Sequence, residues 1–197
     1  MREDVSRRFV IVSGLPGSGK TTIARALARV IQLPVIDKDE ILERLFESKG
    51  VGDVAWRRQL SREADALLQA EVAASPGAVV CSFWHRPGMP PDSGTPTNWL
   101  AALSDTIVNV HCECPPHIAT DRFLRRTRHA GHLDGTRSVA EVLASIEAVA
   151  VLGPLTIGRQ LIVDTTHALD AATLGRDVET ALNRIAAGRE AKPLGRE

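Results

Sequence analysis

Between the apolar run Phe9-Val10-Ile11-Val12 and a helical pattern lies Ser13-Gly14-Leu15-Pro16-Gly17-Ser18-Gly19-Lys20-Thr21-Thr22. Gly14 and Gly19-Lys20-Thr21 have the spacing of a phosphate-binding loop, in the strand-to-helix context that such a loop requires. Glycines let the backbone wrap a phosphate chain with its N–H groups turned inward. The helix that starts near Lys20 adds its positive end. Lys20 supplies a mobile charge for terminal phosphates, and the Thr21 hydroxyl is placed to reach Mg²⁺. The candidate nucleotide contacts are Gly14, Gly17, Ser18, Gly19, Lys20, Thr21 and Thr22.

A second set of reactive side chains follows. Asp37-Lys38-Asp39 closes the short run Leu33-Pro34-Val35-Ile36, and at a strand end both carboxylates project to the same side. One can hold a metal-bound water while the other orients an acceptor hydroxyl and takes its proton. The structural alternative is that Asp39 caps the next helix. Arg122, Arg125 and Arg126 fall at i, i+3 and i+4, on one helix face, and Arg128 lies just beyond. Guanidinium forks suit phosphate oxygens and the charge that develops on them during transfer; a solvated basic face is the plainer alternative. Trp84, His85 and Arg86 open a Pro-rich loop reaching Thr97. Trp84 offers an apolar face to a sugar ring, a base or a drug, and Arg86 offers a charge to an anionic group, so both are candidate substrate contacts. The competing reading is that these aromatics pin a long loop.

Two further patterns are weaker. His111-Cys112-Glu113-Cys114 invites a metal reading, but on a strand the cysteines face away from the histidine, and no second ligand pair follows. Buried free thiols are the reading adopted. No carboxylate ends the run Gly77–Phe83, which leaves the Mg²⁺ shell without a second acidic ligand. Ser82, acting through water, is one substitute; Asp164 is another polar strand-end residue, equally suited to capping a turn.

The elements that position these groups alternate. Strands are expected at Phe9–Val12, Leu33–Ile36, Gly77–Phe83, Thr106–Cys112 and Gln160–Asp164. Helical periodicity runs from Lys20 past Ile31 and over Glu40–Lys49, Val54–Ala74, Pro115–Arg126 and Ser138–Val151. A last helix, capped by Asp170, runs to about Ala187. Such alternation implies an α/β fold with a parallel sheet covered on both faces, and ligands at the carboxyl ends of its strands. One domain is expected over residues 1–187, with a fraying tail at 188–197.

The loop Ser13–Thr22 resembles the start of the small P-loop kinases that often carry generic AAA-type ATPase names. These are similar to shikimate and gluconate kinases, chloramphenicol phosphotransferase and the kinase domain of polynucleotide kinase. The resemblance spans roughly residues 8–185, with the phosphate loop its most specific motif. It implies a P-loop NTPase three-layer sandwich, five parallel strands in the order 2-3-1-4-5, and a small Arg-bearing lid at about 122–137. It further implies transfer of the ATP γ-phosphate, with Mg²⁺, to the hydroxyl of a small molecule, a metabolite or an antibiotic. Asp39 is then the candidate base and substrate contact, Asp37 sits nearer the metal with Thr21, and Arg122 and Arg126 are the lid arginines assigned to the phosphates beside Lys20.

Composition narrows the alternatives. The chain has 197 residues, with 24 Lys+Arg against 24 Asp+Glu. A zero net charge argues against a protein devoted to duplex nucleic acid, and places a polynucleotide 5′-hydroxyl kinase behind the small-molecule reading. A nucleoside-monophosphate kinase is a third enzyme option, and a regulatory nucleotide switch the non-enzymatic one. The guanine-reading Asn-Lys-x-Asp sequence of GTPases is absent. Three cysteines, a polar N-terminus and no long apolar run lead to a cytoplasmic protein without membrane association, monomeric or homodimeric.

Overall fold

The computed structural model describes residues 7–104 and 106–190. Five parallel strands form one sheet in the order β2-β3-β1-β4-β5. They are β1 (Arg8–Gly14), β2 (Val35–Asp37), β3 (Gly77–Cys81), β4 (Ile107–Glu113) and β5 (Arg159–Asp164). The central β1 is buried along Phe9–Gly14 without alternation, because helices cover both its faces.

The odd-numbered side chains of β1, Phe9 and Ile11, pack on α2 (Lys38–Lys49) and α3 (Val54–Ala74) through Ile41, Leu45, Leu60, Ala64 and Leu68. Its even-numbered ones, Val10 and Val12, pack on α1 (Lys20–Ile31) and α6 (Ala171–Glu190) through Ile23, Leu27, Val178 and Leu182. A smaller cluster joins Leu15 of the phosphate loop to α4 (Pro116–Arg125) and α5 (Val139–Ala150). Strand β5 is the open edge, with Ile162 57% exposed. No helix among the described residues is long and apolar enough to cross a membrane.

Local chemistry accounts for several boundaries. Helix α2 starts at Lys38, two residues before its apolar periodicity, because Asp37 caps it by accepting the Asp39 N–H at 3.0 Å. The capping role considered for Asp39 therefore belongs to Asp37. The connection before β4 holds a single 3-10 turn, Leu100–Ala102. Helix α6 continues to Glu190, so residues 188–190 are helical rather than frayed, and 191–197 lie outside the described residues. Segment 127–137 holds two 3-10 turns, Ala130–His132 and Asp134–Thr136, joined by Leu133 at φ 58°.

Candidate active site

The phosphate loop joins β1 to α1, and two of its glycines have no room for a side chain. Gly14, at φ +144°, would set a Cβ 2.6 Å from the Cys112 carbonyl oxygen; Gly17, at φ +80°, would set one 2.1 Å from that of Ala119. The loop thus lies flat on the end of β4 and the start of α4. Lys20 Nζ donates to Leu15 O at 2.6 Å, folded back on its own loop, and burial holds its pKa below the usual lysine range. A lysine held in this way is poised to transfer its charge to an incoming phosphate.

Thr21 Oγ1 donates to Asp37 Oδ2 at 3.0 Å. Asp37 is 3% exposed, and burial, followed by the Asp39 charge, pushes its pKa up to about 6 despite the hydrogen bonds it accepts. A buried hydroxyl–carboxylate pair without a countercharge suits one Mg²⁺ that keeps waters and phosphate oxygens for its other ligands. The strand-end position with no carboxylate is filled by Cys81, whose Sγ lies 3.9 Å from Thr21 Oγ1. Ser82 bonds Thr95 instead, and exposed Asp164 accepts the Thr166 N–H as a turn cap. No group of three or more His, Cys, Asp and Glu side chains among the described residues could hold a metal. Cys112 and Cys114 are buried free thiols, while His111, facing the other way, bonds Ser13; burial, then Arg86 and Lys20, lower His111 to about 4.

A cavity of about 660 Å³ runs from Lys20, Thr21 and Asp37 past Asp39 to Arg126, Arg128 and Asp134. Asp39, in the first turn of α2, keeps half its side chain open. Burial raises its carboxyl, but the charges of Arg128, His132, Lys20 and Arg126 outweigh that and hold it below the usual carboxylate range. It is therefore ionised at neutral pH, as a proton acceptor must be. Arg126 lines the same cavity, its guanidinium 4.1 Å over the Phe123 ring and 3.1 Å from Asp134.

Arg122 departs from expectation. It borders this cavity, but its Nη1 and Nη2 each donate at 2.8 Å to carbonyls, Thr165 O and Thr166 O. Those bonds commit the guanidinium to the loop after β5, where it flanks a second cavity of about 500 Å³ with Gly19, Thr22 and residues 165–169. Its place is beside this second cavity rather than on a terminal phosphate.

Trp84 and Arg86 are also displaced from their expected roles. Trp84 is fully buried, its indole N–H donating to Val12 O at 2.9 Å, with Trp99 6.3 Å away. The aromatics pin the loop, and Phe83 rather than Trp84 lines the cavity. Arg86 is 2% exposed, outside the cavity lining, with no hydrogen-bond partner for its three guanidinium nitrogens among the described residues. Burial lowers its pKa.

Residues that the sequence reading did not single out complete the site. Arg57 of α3 lines the cavity, its Nε buried and without a hydrogen-bond partner among the described residues. Arg128 bridges Asp39 at 2.6 Å and Asp134 at 3.2 Å. Arg128 stood in the arginine cluster, but nothing in the spacing distinguished it from Arg125, which faces out to Asp121. Arg57 sits in an ordinary helical pattern, and only the packing of α3 against α2 brings it to the cleft.

The sheet order and the phosphate loop define an α/β P-loop kinase fold. The sequence matches the family described as AAA domain (AAA_33) over residues 9–150, and the chain belongs to that family. A structure from Chloroflexus aurantiacus described as a candidate kinase superposes with a TM-score of 0.73 and 26% identity, over 89% of this chain and 98% of that one. The fold is shared with a shikimate kinase from Bacteroides thetaiotaomicron, at TM-score 0.54, 21% identity, and coverage of 93% and 98%. An uncharacterized protein of Mycobacterium tuberculosis H37Rv is 27% identical over 176 residues, 84% of this chain. The chain spans about a third of that relative's length, 32%. A shikimate kinase of Corynebacterium glutamicum is 40% identical over 73 residues, 36% of this chain and 43% of its own.

Proposed function

We propose that the protein transfers the γ-phosphoryl group of ATP to a hydroxyl of a small molecule. The observation that carries this reading is one cavity lined both by the phosphate-binding groups of the loop and by Asp39. The adenine fits the second cavity, beside the guanidinium of Arg122, and the phosphate chain follows the loop 14–22 toward Lys20. Thr21 and Asp37 would hold Mg²⁺, which would supply charge neutralisation at the terminal phosphates.

In the transfer, Asp39 accepts the acceptor's hydroxyl proton as that oxygen bonds to the γ-phosphorus. The bond from γ-phosphorus to the bridging oxygen breaks, and ADP leaves with the electron pair. Lys20 and Arg126 offset the charge on the transferring oxygens, where positioning outweighs base strength. The lid keeps water from competing. A cavity of about 660 Å³, shared with the phosphate chain, favours a metabolite-sized acceptor over a polymer. Arg57, which lines the same cavity, adds a positive charge facing the acceptor.

The test is a screen of hydroxyl metabolites and antibiotics with Mg·ATP, read by mass spectrometry for a phosphate ester. A product formed by wild type and lost in Lys20→Ala and Asp39→Asn supports the reading. ATP turnover independent of every acceptor contradicts it and favours a nucleotide switch.

A further inference from the structure

Asp39, Glu43 and Phe46 lie at i, i+4 and i+7 on α2, one stripe of the helix, and the lid is seated along all three. At the bottom, the Phe46 ring stacks on His129 at 5.3 Å and meets the edge of His132 at 5.5 Å. Gly131 presses against that ring so closely that a Cβ there would sit 2.5 Å from it. In the middle, His132 Nε2 lies 2.9 Å from Glu43 Oε1. At the top, Arg128 Nη2 holds Asp39 Oδ2 at 2.6 Å, while Nη1 holds Asp134 of the same lid at 3.2 Å. The other oxygen, Oδ1, has no hydrogen bond among the described residues.

We propose that Arg128 is a positioning residue that makes lid docking and the setting of Asp39 a single event. The inference rests on the reading of Asp39 as the proton acceptor. A short carboxylate flanked by cavity can rotate; a charged fork gripping one oxygen fixes the other toward the acceptor. Because the fork also grips Asp134, the grip exists only while segment 126–137 lies on α2. The base is therefore assembled by the lid, and by reciprocity the lid is held down by the ionised base. The groups facing Asp39 are Lys20 of α1, Asp37 of β2, Arg57 of α3, and Arg126, Arg128, His132 and Asp134 of the lid. Among them Arg128 alone makes direct contact with its side chain.

Both directions of this tie are measurable in the full, ligand-free chain, so the test needs no acceptor. Carbon-detected NMR at about pH 7.5, where Asp39 is ionised, should show the Asp39 carboxyl resonance displaced in Arg128→Gln, because the fork that grips one oxygen is gone. Gly131→Ala changes no charge; it crowds Phe46 and lifts the lid, and should displace that resonance the same way. In the reverse direction, amide hydrogen exchange across residues 129–137 should quicken by about tenfold in Asp39→Asn, the size of a typical coupling between sites. Unchanged lid exchange in Asp39→Asn, or an Asp39 carboxyl resonance that Gly131→Ala does not displace, would overturn the proposal and leave Arg128 a pin on Asp134 alone. Failure of the kinase reading shows separately, as absence of transfer to any acceptor by wild type.

Discussion

Asp37→Asn should stabilise the ligand-free protein at neutral pH. Asp37 is 3% exposed, and its carboxyl titrates at about 6 instead of 3.8. A difference of roughly two units corresponds to about 3 kcal/mol. The sign follows from the direction of the shift. A carboxyl raised on folding binds its proton more tightly in the native state, so stability is lost as pH rises from about 4 through about 6, and the whole penalty is present above that. The asparagine needs no ionisation, can still accept the Asp39 N–H, and can offer its amide to Thr21 Oγ1. Urea denaturation of both proteins without nucleotide should give nearly equal stabilities near pH 4. By pH 7.5 the variant should lead by up to about 3 kcal/mol, reduced by any loss in hydrogen-bond quality. Added Mg²⁺ should narrow the gap by stabilising the wild type alone, and this should fade below pH 6 as the ligand protonates. A variant that matches or trails the wild type at every pH would refute the argument that Asp37 is a buried charge awaiting a cation.

Three other outcomes follow from the same geometry. Lys20→Ala should lower turnover by more than about a hundredfold, the scale seen when a charge-stabilising donor is removed; a change of a few fold in steady-state rate would take Lys20 out of the mechanism. Arg122→Ala should weaken ATP by about tenfold in calorimetry while leaving inorganic tripolyphosphate unaffected; equal losses for both would return Arg122 to the phosphates. Arg86→Met should raise the urea midpoint, by about 1–3 kcal/mol in stability, because it removes a buried cation with no partner among the described residues. A lower midpoint would mean that Arg86 has an anionic partner in solution.

The fold was legible because its signals are local. An unbroken β-branched run needs cover on both faces, and the phosphate loop needs a strand before it and a helix after it. Asp37 and Asp39 were also readable, since a strand end places neighbouring polar residues at the sheet edge. Their division of labour as cap and open carboxylate depends on two hydrogen bonds, from the Asp39 N–H and from Thr21, that no spacing reveals. Trp84 was misread because an aromatic beside a strand end serves as well for core as for ligand; the Val12 carbonyl within reach of its indole decides between them. Arg122, Arg126 and Arg128 belong to one cluster but divide in use: Arg122 serves the Thr165 and Thr166 carbonyls, Arg126 the Asp134 carboxylate, and Arg128 both Asp134 and Asp39. The Thr165, Thr166 and Asp39 oxygens lie far from the cluster in sequence, so those assignments rest on tertiary packing.

The central claim is phosphoryl transfer to a hydroxyl at a cavity that holds both Lys20 and Asp39. Its most direct measurement is ³¹P NMR of the wild-type protein with Mg·ATP and a hydroxyl compound drawn from the screen. The account predicts a new phosphate-ester resonance growing in step with ADP, absent in Asp39→Asn although that variant still binds ATP. ADP accompanied only by inorganic phosphate, or ester formation undiminished in Asp39→Asn, would contradict it.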